Sequence, residues 1–385
     1  MKVIIVTGEV SGDKHGAHLA EALSRIVPGI AIYGIGGMMM KSAGVSVLFD
    51  ISSLNAFQYR YLPRLLLRGK LNSIVRTYAE FLEREKPDLA VLVGLADDTT
   101  YVAMKMARVT REAGVPVFYY FAPHVWMWSD RKTRRVAHCF DRILTVFPQE
   151  DDAYRKAGAE TVFVGHPIID EIRSEVGARS KPPLKSNNEK AVVFFPGSRK
   201  GELRYHLPVM RQIIREIENS CGARGTGTVY LISALNDRFR ERIESCLGGQ
   251  RGVRVVQGRV YDLMACADAV VSSSGTITLE IALHEKPGVI IYRVPWVTYL
   301  IGRMLIGFRY IGMPNVIMER RIVPEFLQGA IDSKRIGEIV NGILSDSETA
   351  RDMRRDYKRL KELLGGSGAL DRAAGAIVQF VRQKV

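Results

Sequence analysis

The chain has 385 residues, of which 47% are hydrophobic, and its formal net charge is +14. Its length is that of two α/β domains of ordinary size, and its charge favours an anionic partner. The four cysteines form no C-x-x-C pair, so neither a disulfide framework nor a cysteine-bound metal ion is indicated. The chain also lacks a recognised nucleic-acid-binding motif and a basic tail, so nucleic acid is not expected as the partner.

Apolar runs of strand length alternate with helix-length segments along the chain. In order they are residues 3–6, 31–35, 89–93, 115–120 and 143–146, followed by 191–195, 228–232, 253–257, 269–272 and 288–292. This alternation predicts an α/β fold with two parallel sheets. Residues 175–190 replace the apolar periodicity with glycine, proline, serine and mixed charges, and we interpret them as the linker between two domains.

The first strand runs directly into a loop with the sequence GEVSGD at residues 8–13. Small residues let the backbone approach a ligand, and the helix that follows directs its free N–H groups toward the same space. We therefore predict that Ser11 and Gly12 contact the substrate. An ordinary strand-to-helix turn explains the same residues, and this alternative stays open.

A second loop of this kind follows the strand at residues 191–195 and contains Ser198 and Arg199. The planar guanidinium of an arginine can pair with two phosphate oxygens at once. These two residues are therefore predicted to contact the phosphates of a nucleotide. A plain helix cap is the alternative for this loop.

A third loop follows the strand at residues 269–272 and contains Ser274, Gly275 and Thr276. Hydroxyl groups and the N–H groups of a helix N-terminus bind phosphate oxygens without a metal ion, so this loop is predicted to hold a diphosphate. Glu280, just over one turn into the helix, is predicted to reach a ribose hydroxyl. Any one of the loops could be only a helix cap, but three of them favour a nucleotide-sugar site.

Two further segments, residues 59–70 and 296–310, combine aromatic side chains, clustered aliphatic residues and several cations. This composition is typical of a segment that lies in a membrane interface, although a partly buried helix with a basic face would share it. The chain begins with no signal-peptide pattern, and its longest uncharged stretch is too short to span a bilayer. We therefore expect a cytoplasmic protein with an amphiphilic substrate, bound peripherally to an anionic membrane surface.

Eight short motifs in order along the chain point to one family. They are GEVSGD at 8–13, GIGGM at 34–38, APHVWMW at 122–128, GHP at 165–167, PGSRKGE at 196–202, SGTITLE at 274–280, PN at 314–315 and VPEFLQ at 323–328. Together they resemble the lipid-A-disaccharide synthase family of glycosyltransferases, over nearly the whole chain. A nicotinamide dehydrogenase is a poor alternative, because the run at 34–39 ends in Met39 and so breaks the G-x-G-x-x-G pattern.

The resemblance implies a GT-B architecture, in which two Rossmann-like domains with parallel sheets face a cleft. Residues 1–175 would form the domain that takes the acceptor and faces the membrane, and the helical residues 352–385 would return to it. Residues 188–351 would form the domain that binds the UDP-sugar. The location implied is the cytoplasmic face of the inner membrane in a Gram-negative-type bacterium, and a homodimer is left open.

The resemblance also implies the reaction, an inverting transfer of 2,3-diacylglucosamine from its UDP derivative to 2,3-diacylglucosamine 1-phosphate, which yields the lipid A disaccharide and UDP. The family roles fall on Arg199 near the nucleotide, on the loop at 274–276 at the diphosphate, on Glu280 at the ribose and on Asn315 near the donor. Cations and helix dipoles would stabilise the leaving diphosphate. No D-x-D triplet occurs in the chain, so we expect no metal ion and no other cofactor.

The acceptor side departs from the family pattern at two places. The family has an aspartate that is a candidate general base where this chain has Ala96, and residues 56–60 lack the usual Met-Gly and nearby Glu. A base needs only hydrogen-bond reach of the attacking hydroxyl, so Asp98 is predicted as the base and Asp97 as the second choice. These carboxylates could instead belong to an ordinary loop or helix cap. A related GT-B enzyme with another UDP-sugar, or a paralogue without catalytic activity, is the alternative for the whole chain.

Overall fold

The structure is a computed structural model that describes residues 1–51, 64–95, 100–123, 130–177, 183–220, 227–296, 299 and 309–384. The chain divides into two compact units, Met1–Asp170 with Leu364–Val385 and Glu171–Leu363. The predicted bases Asp97 and Asp98, and most of the two predicted interfacial segments, lie outside the described residues.

The described part of the first unit is built on a parallel sheet. Its strands are β1 (Lys2–Thr7), β2 (Ala31–Gly36), β3 (Ser46–Asp50), β4 (Leu89–Val93), β5 (Val117–Tyr120), β6 (Arg142–Thr145) and β7 (Thr161–Phe163). They pair in the order β3-β2-β1-β4-β5-β6-β7. The central strands β1 and β4 are almost wholly apolar because helices cover both faces of the sheet.

The helices of the first unit follow the strands in turn. They are α1 (Val10–Ile26), α2 (Met38–Ser42), α3 (Arg64–Glu85), α4 (Thr100–Glu112), α5 (Asp130–Ala137), α6 (Pro148–Lys156) and α7 (Ile168–Gly177), which continues into the second unit. One face of the sheet, including Ile4 and Leu92, packs on Tyr78 and Phe81 of α3 and on Met106 of α4. This buried cluster is the core of the first unit and fixes the helices beside the strands.

The second unit repeats this plan with a second parallel sheet. Its described strands are β8 (Lys190–Phe195), β9 (Thr228–Ala234), β10 (Val253–Gln257), β11 (Ala269–Ser273), β12 (Gly288–Tyr292) and β13 (Glu325–Leu327). They pair in the order β10-β9-β8-β11-β12-β13. The helices are α8 (Lys200–Ser220), α9 (Asp237–Leu247), α10 (Val260–Cys266), α11 (Thr276–Leu283), α12 (Met313–Ile317), α13 (Ser333–Leu344) and α14 (Glu348–Leu363), with a 3₁₀ turn at Gln328–Ala330. The predicted α/β fold with two parallel sheets is confirmed.

The C-terminal return to the first unit begins later than predicted. Residues 352–363 belong to α14 and to the second unit, because Met353, Tyr357 and Leu360 are buried there. Asp356 of this helix also accepts two hydrogen bonds from the Arg320 guanidinium, at 2.8 and 2.6 Å. The chain re-enters the first unit at Leu364, and the last helix, α15 (Ala369–Lys384), packs against α1.

None of the helices within the described ranges is both long enough and apolar enough to cross a bilayer.

Candidate functional site

In each sheet the strand order reverses at one place, between β1 and β4 in the first unit and between β8 and β11 in the second. Ligands of open parallel sheets bind beyond the carboxyl ends of the strands at such a reversal. The three predicted loops follow β1, β8 and β11 directly, so each of them lies at a reversal point of its own sheet.

The loop after β8 is shaped by the carboxylate of Glu202 in α8. This carboxylate accepts hydrogen bonds from the backbone N–H groups of Ser198, at 2.8 Å, and of Arg199, at 3.2 Å. Gly197 has φ of +111°, and a Cβ at this position would overlap Glu202. The loop therefore offers a ligand its side chains rather than these two N–H groups, and the Arg199 side chain is 76% exposed.

A buried histidine of α8 joins this loop to the one after β12. Nε2 of His206 accepts a hydrogen bond from the Arg293 N–H at 3.0 Å, so the ring proton must lie on Nδ1. Nδ1 in turn donates to the Pro196 carbonyl at 2.8 Å. Burial lowers the pKa of His206, which keeps the imidazole neutral and the pair of hydrogen bonds intact.

The loop after β12 is held from its other side by Gln328. The amide of this residue accepts from the Val294 N–H at 3.2 Å and donates to the Val294 carbonyl at 2.9 Å. At the end of the same strand, burial raises the pKa of Tyr292, the Glu202 carboxylate raises it further, and the charge of Arg199 opposes the shift. The Tyr292 ring lies 5.9 Å from the His206 ring, and His206 binds the Pro196 carbonyl at the start of the loop that carries Arg199.

The loop after β11 leaves the start of α11 open. Gly275 has φ of +131°, no atom lies within 4 Å of where a Cβ would stand, and Thr276 is exposed. The Ser274 hydroxyl donates to the Ile311 carbonyl at 2.8 Å, so its proton holds a neighbouring segment instead of facing a ligand. Glu280 lies just over one turn into α11 and is partly buried.

Asn315, predicted to lie near the donor, has a side chain that is fully engaged within the protein. Its side chain is fully buried, and its amide group donates to the Val323 carbonyl and to Glu325 at 2.8 and 2.7 Å. Its carbonyl oxygen accepts from the N–H groups of Ile322 and Val323 at 2.7 and 2.9 Å. With both donors and its acceptor engaged, Asn315 positions the surrounding chain and has no free group for a donor sugar in this structure.

Glu325, which lies in the motif at 323–328 but was given no role from the sequence, completes this arrangement. Its carboxylate accepts from Asn315, from the Gly312 N–H at 2.8 Å and from the Ile311 N–H at 3.1 Å. Since Ser274 binds the Ile311 carbonyl, the segment at residues 311–312 is fixed from two sides. Asn315 and Glu325 therefore act on the loop after β11 through this segment.

A cavity of about 1040 Å³ adjoins these loops within the second unit. Its lining includes Val294 of the loop after β12 and Ile311, whose carbonyl accepts the hydrogen bond from Ser274. Its described lining mixes apolar side chains, such as Val294 and Phe326, with charged side chains in which three arginines outnumber two carboxylates. A ligand with both apolar and anionic parts fits such a lining.

The loop after β1 in the first unit is built differently. Gly12 is buried, and a Cβ at this position would overlap the Thr7 hydroxyl and lie 3.0 Å from the Val93 carbonyl. The Asp13 carboxylate accepts from the N–H groups of Gly37 and Met39, at 2.6 and 3.0 Å, and so caps α2. Ser11 is exposed and remains the residue of this pair whose side chain can meet a substrate.

Four supporting residues, Glu202, His206, Glu325 and Gln328, were given no role from the sequence, although three of them lie within the motifs at 196–202 and 323–328. A glutamate at the third position of a helix is a known capping signal, so Glu202 could have been found from its spacing to the start of α8. His206 could not, because its partner Arg293 lies 87 residues away along the chain. Gln328 likewise binds a backbone unit 34 residues distant.

Residues 3–378 match the family model described as lipid-A-disaccharide synthetase. The chain is 35% identical over 386 residues to the lipid-A-disaccharide synthase of Syntrophus aciditrophicus, covering 99% of this chain and 98% of the relative. It is 34% identical over 388 residues to the enzyme of the same name from Geobacter sulfurreducens, covering 100% and 98%.

Two solved structures share the fold. The UDP-GlcNAc 2-epimerase of Neisseria meningitidis, bound to UDP-GlcNAc, superposes with a TM-score of 0.63 at 14% identity, with 100% of each chain covered. The UDP-GlcNAc 2-epimerase of Methanocaldococcus jannaschii gives 0.58 at 14%, with 94% of this chain and 100% of the other covered. These likenesses show the GT-B type of fold alone, whereas the matches in sequence show the family. The chain belongs to the lipid-A-disaccharide synthetase family.

Proposed function

We propose that the chain transfers 2,3-diacylglucosamine from its UDP derivative to 2,3-diacylglucosamine 1-phosphate, and so forms the lipid A disaccharide and UDP. The observation that carries this proposal is the family match over residues 3–378. The relatives named for this synthase match the chain along nearly its whole length, which supports the same reaction.

The UDP of the donor is assigned to the second unit. The diphosphate lies against the open N-terminus of α11, where Gly275 and Thr276 present N–H groups and a hydroxyl. The exposed guanidinium of Arg199 and the hydroxyl of Ser198 bind its oxygens from the loop after β8. The Glu280 carboxylate binds a ribose hydroxyl. Ser274 supports the site through its hydrogen bond to the Ile311 carbonyl.

The acylated part of the donor is assigned to the cavity beside these loops. Val294, Ile311 and Phe326 contribute apolar surface, and burial of alkyl groups on such surface is favourable. The guanidinium groups of Arg309 and Arg335 would face the anionic parts of the same molecule. One cavity would then accommodate both the alkyl groups and the anionic parts of a diacylated sugar nucleotide.

In the transfer step, a hydroxyl oxygen of the acceptor attacks the anomeric carbon while the bond from this carbon to the UDP oxygen breaks. The configuration inverts, and the acceptor proton passes to the base, for which Asp98 is proposed first and Asp97 second. The negative charge that develops on the diphosphate is stabilised by Arg199 and by the dipole of α11.

The acceptor is assigned to the first unit, and Ser11 is the described residue proposed to contact it. An acylated acceptor has to be drawn from a bilayer, so peripheral binding to an anionic cytoplasmic membrane surface is part of the proposal. Residues 59–70 and 296–310 remain the proposed contact segments and lie mostly outside the described ranges.

The reaction is tested by mass spectrometry of the product formed from UDP-2,3-diacylglucosamine and 2,3-diacylglucosamine 1-phosphate, with and without EDTA. A disaccharide phosphate in both samples is expected. A sugar nucleotide with altered stereochemistry, or no product from any acylated glucosamine, would favour the related enzyme or the paralogue without activity.

The donor site is tested by calorimetric titration of UDP into Arg199→Ala. Loss of a hydrogen bond between charged groups should weaken binding by about 1.5 to 3 kcal/mol, that is, by roughly ten- to a hundredfold. Arg211→Ala on the exposed side of α8 is the matched control and should bind UDP normally. Equal affinities for the two variants would remove Arg199 from the site.

A further inference from the structure

The first unit has a basic groove of about 840 Å³ between α4 and the C-terminal end of α5. Four basic side chains line it, Lys105, Arg108 and Arg111 from α4 and Arg135 from α5. Among the described lining residues, Glu112 is the one carboxylate. The groove therefore presents a strong excess of positive charge in a concave surface, where the low-dielectric walls concentrate the potential.

The charges in this groove are only partly compensated by the protein. The Lys105 ammonium donates to the neutral amide of Asn72 at 2.9 Å. The Arg111 guanidinium donates to the His138 carbonyl at 3.1 Å, and its ion pair with Asp141 is long, at 3.9 Å.

The other two guanidinium groups, those of Arg108 and Arg135, form no ion pair with any residue in the described ranges. Arg108 and Arg111 both lie close enough to the Cys139 thiol to oppose the rise in its pKa that burial causes. Like charges gathered in this way repel one another, and an anion bound between them would relieve that repulsion.

The groove is separate from the proposed substrate loops of the first unit. Helices that follow parallel strands begin at the carboxyl edge of the sheet, and α4 begins at Thr100. Arg108 therefore lies about 12 Å along the helix from that edge, given a rise of about 1.5 Å per residue. Cys139 lies beyond the C-terminal end of α5, so the groove extends away from the edge where the loops are found.

We propose that this groove binds the phosphate headgroups of anionic phospholipids and so holds the first unit against a bilayer. The proposal rests on the proposed function, since acylated substrates reside in a membrane. Because no helix in the described ranges can cross a bilayer, a contact formed by these residues has to be peripheral. Single-stranded nucleic acid is a weaker fit, since the described lining offers no tryptophan, tyrosine or phenylalanine on which bases could stack.

The test compares full-length variants in sedimentation with vesicles of phosphatidylcholine, with and without phosphatidylglycerol. In Arg108→Gln/Arg135→Gln, two cations are neutralised. A basic side chain near an anionic surface contributes about 1 kcal/mol, so the apparent Kd for anionic vesicles should rise about thirtyfold. Arg211→Gln/Arg215→Gln changes the net charge equally on exposed positions of α8 and should bind almost as the unchanged protein does.

Every other outcome would contradict the binding of lipid headgroups in the groove. Equal losses in the two double variants would show that only net charge matters, and equal binding by all proteins would show that the groove does not meet lipid. Inorganic phosphate serves as a further probe. If it binds the unchanged protein and not the groove variant, while all proteins bind vesicles alike, the groove is a small-anion site instead.

A second measurement separates this proposal from the proposed function. The groove variant should keep normal UDP affinity and normal turnover of detergent-dispersed substrates, which also shows that it is folded. If the unchanged protein binds anionic vesicles through the groove and yet forms no disaccharide, the lipid contact stands and the proposed reaction falls. Loss of detergent-phase turnover in the groove variant would contradict a role confined to the membrane.

Discussion

The same sequence pattern, a strand followed by small residues and a helix, has opposite uses in the two units. In the first unit a Cβ at Gly12 would overlap the hydroxyl of Thr7, so the glycine allows α1 to pack closely on β1 and β4. In the second unit Gly275 has φ of +131° and open space beside it, at the exposed start of α11. The first glycine serves packing, and the second leaves room for a ligand.

This difference teaches that glycine and serine after a strand do not by themselves mark a phosphate site. What distinguishes the two loops is the environment of the helix N-terminus. In the first unit Asp13 already uses its carboxylate to cap α2, the helix that follows the neighbouring strand β2. In the second, side chains such as Glu325 hold the supporting segment at residues 311–312 and leave the N-terminus of α11 exposed.

The largest effect is expected in the loop after β4. This loop, and not the closely packed loop after β1, is proposed to supply the general base. Asp98→Asn should lower turnover by about 10²- to 10⁴-fold, because loss of a general base has this cost, and should leave UDP affinity unchanged. Single-turnover kinetics together with UDP titration would measure both quantities.

Asp97→Asn is the internal control for this prediction. A loss of turnover in Asp97→Asn alone would transfer the role to that residue. Normal turnover in both variants would place the base elsewhere, with Glu9 and Asp13 next, and would then bring the loop after β1 back into the reaction.

The second prediction tests whether Asn315 only stabilises the fold of the second unit or also contacts the donor directly. Asn315→Ala leaves the N–H groups of Ile322 and Val323 buried without their acceptor, so the free energy of unfolding should fall by about 3 kcal/mol. Urea unfolding measures this, and Asn188→Ala at an exposed position should change it by less than about 0.5 kcal/mol. Unchanged stability with weaker UDP binding would restore the direct contact predicted from the sequence.

The third prediction tests the packing role of the first glycine. Gly12→Ala should destabilise the protein by about 2 kcal/mol, because the new methyl group has to displace the Thr7 hydroxyl and approaches the Val93 carbonyl. Gly375→Ala in α15 is the matched control, since no atom lies near its Cβ position, and it should be neutral or slightly stabilising. A well-tolerated Gly12→Ala that impairs turnover would favour a substrate contact at this loop.

Much of the fold could be predicted because its signals are local. The long central strands read as continuous apolar runs, and each was assigned nearly to its observed bounds. The short edge strands β3, β7 and β13 were not assigned, since three to five residues of mixed burial give little periodicity. The later return of the chain at Leu364 was also not foreseen, because α14 is amphipathic and its pattern alone does not say which unit buries its apolar face.

The candidate site, like the fold, could be predicted only in part. The loops that hold Arg199 and Thr276 follow long apolar strands, so both their existence and their shared sheet edge could be inferred. The hydrogen bonds that set the available donors could not be, because Ser274 and Asn315 are engaged by residues brought near only by folding. Sequence therefore located the loops, whereas the structure decides which of their groups can meet a ligand.

The smallest effect is expected at His206, which forms hydrogen bonds to the loops after β8 and β12. Burial lowers the pKa of His206 below its usual 6.5, so between the folded pKa and 6.5 the unfolded state binds more protons. The free energy of unfolding should therefore fall as the pH falls through this window, by at most about 1.4 kcal/mol per pH unit.

Replacing this histidine isolates its share of the pH dependence. The charged and titratable groups that face His206 are Glu202 on α8, Tyr292 at the end of β12 and the adjacent Arg293, and all are retained in His206→Asn. Urea unfolding of both proteins from pH 7.5 to 5 should give a shallower acid-side slope for the variant, since the other histidines contribute alike to both. UDP binding should weaken in the variant at all these pH values, because the loop carrying Arg199 loses one of its anchors. Identical slopes in the two proteins would mean that His206 is not held neutral by the fold, and identical UDP affinities would mean that the open loop of the second unit keeps its shape without it.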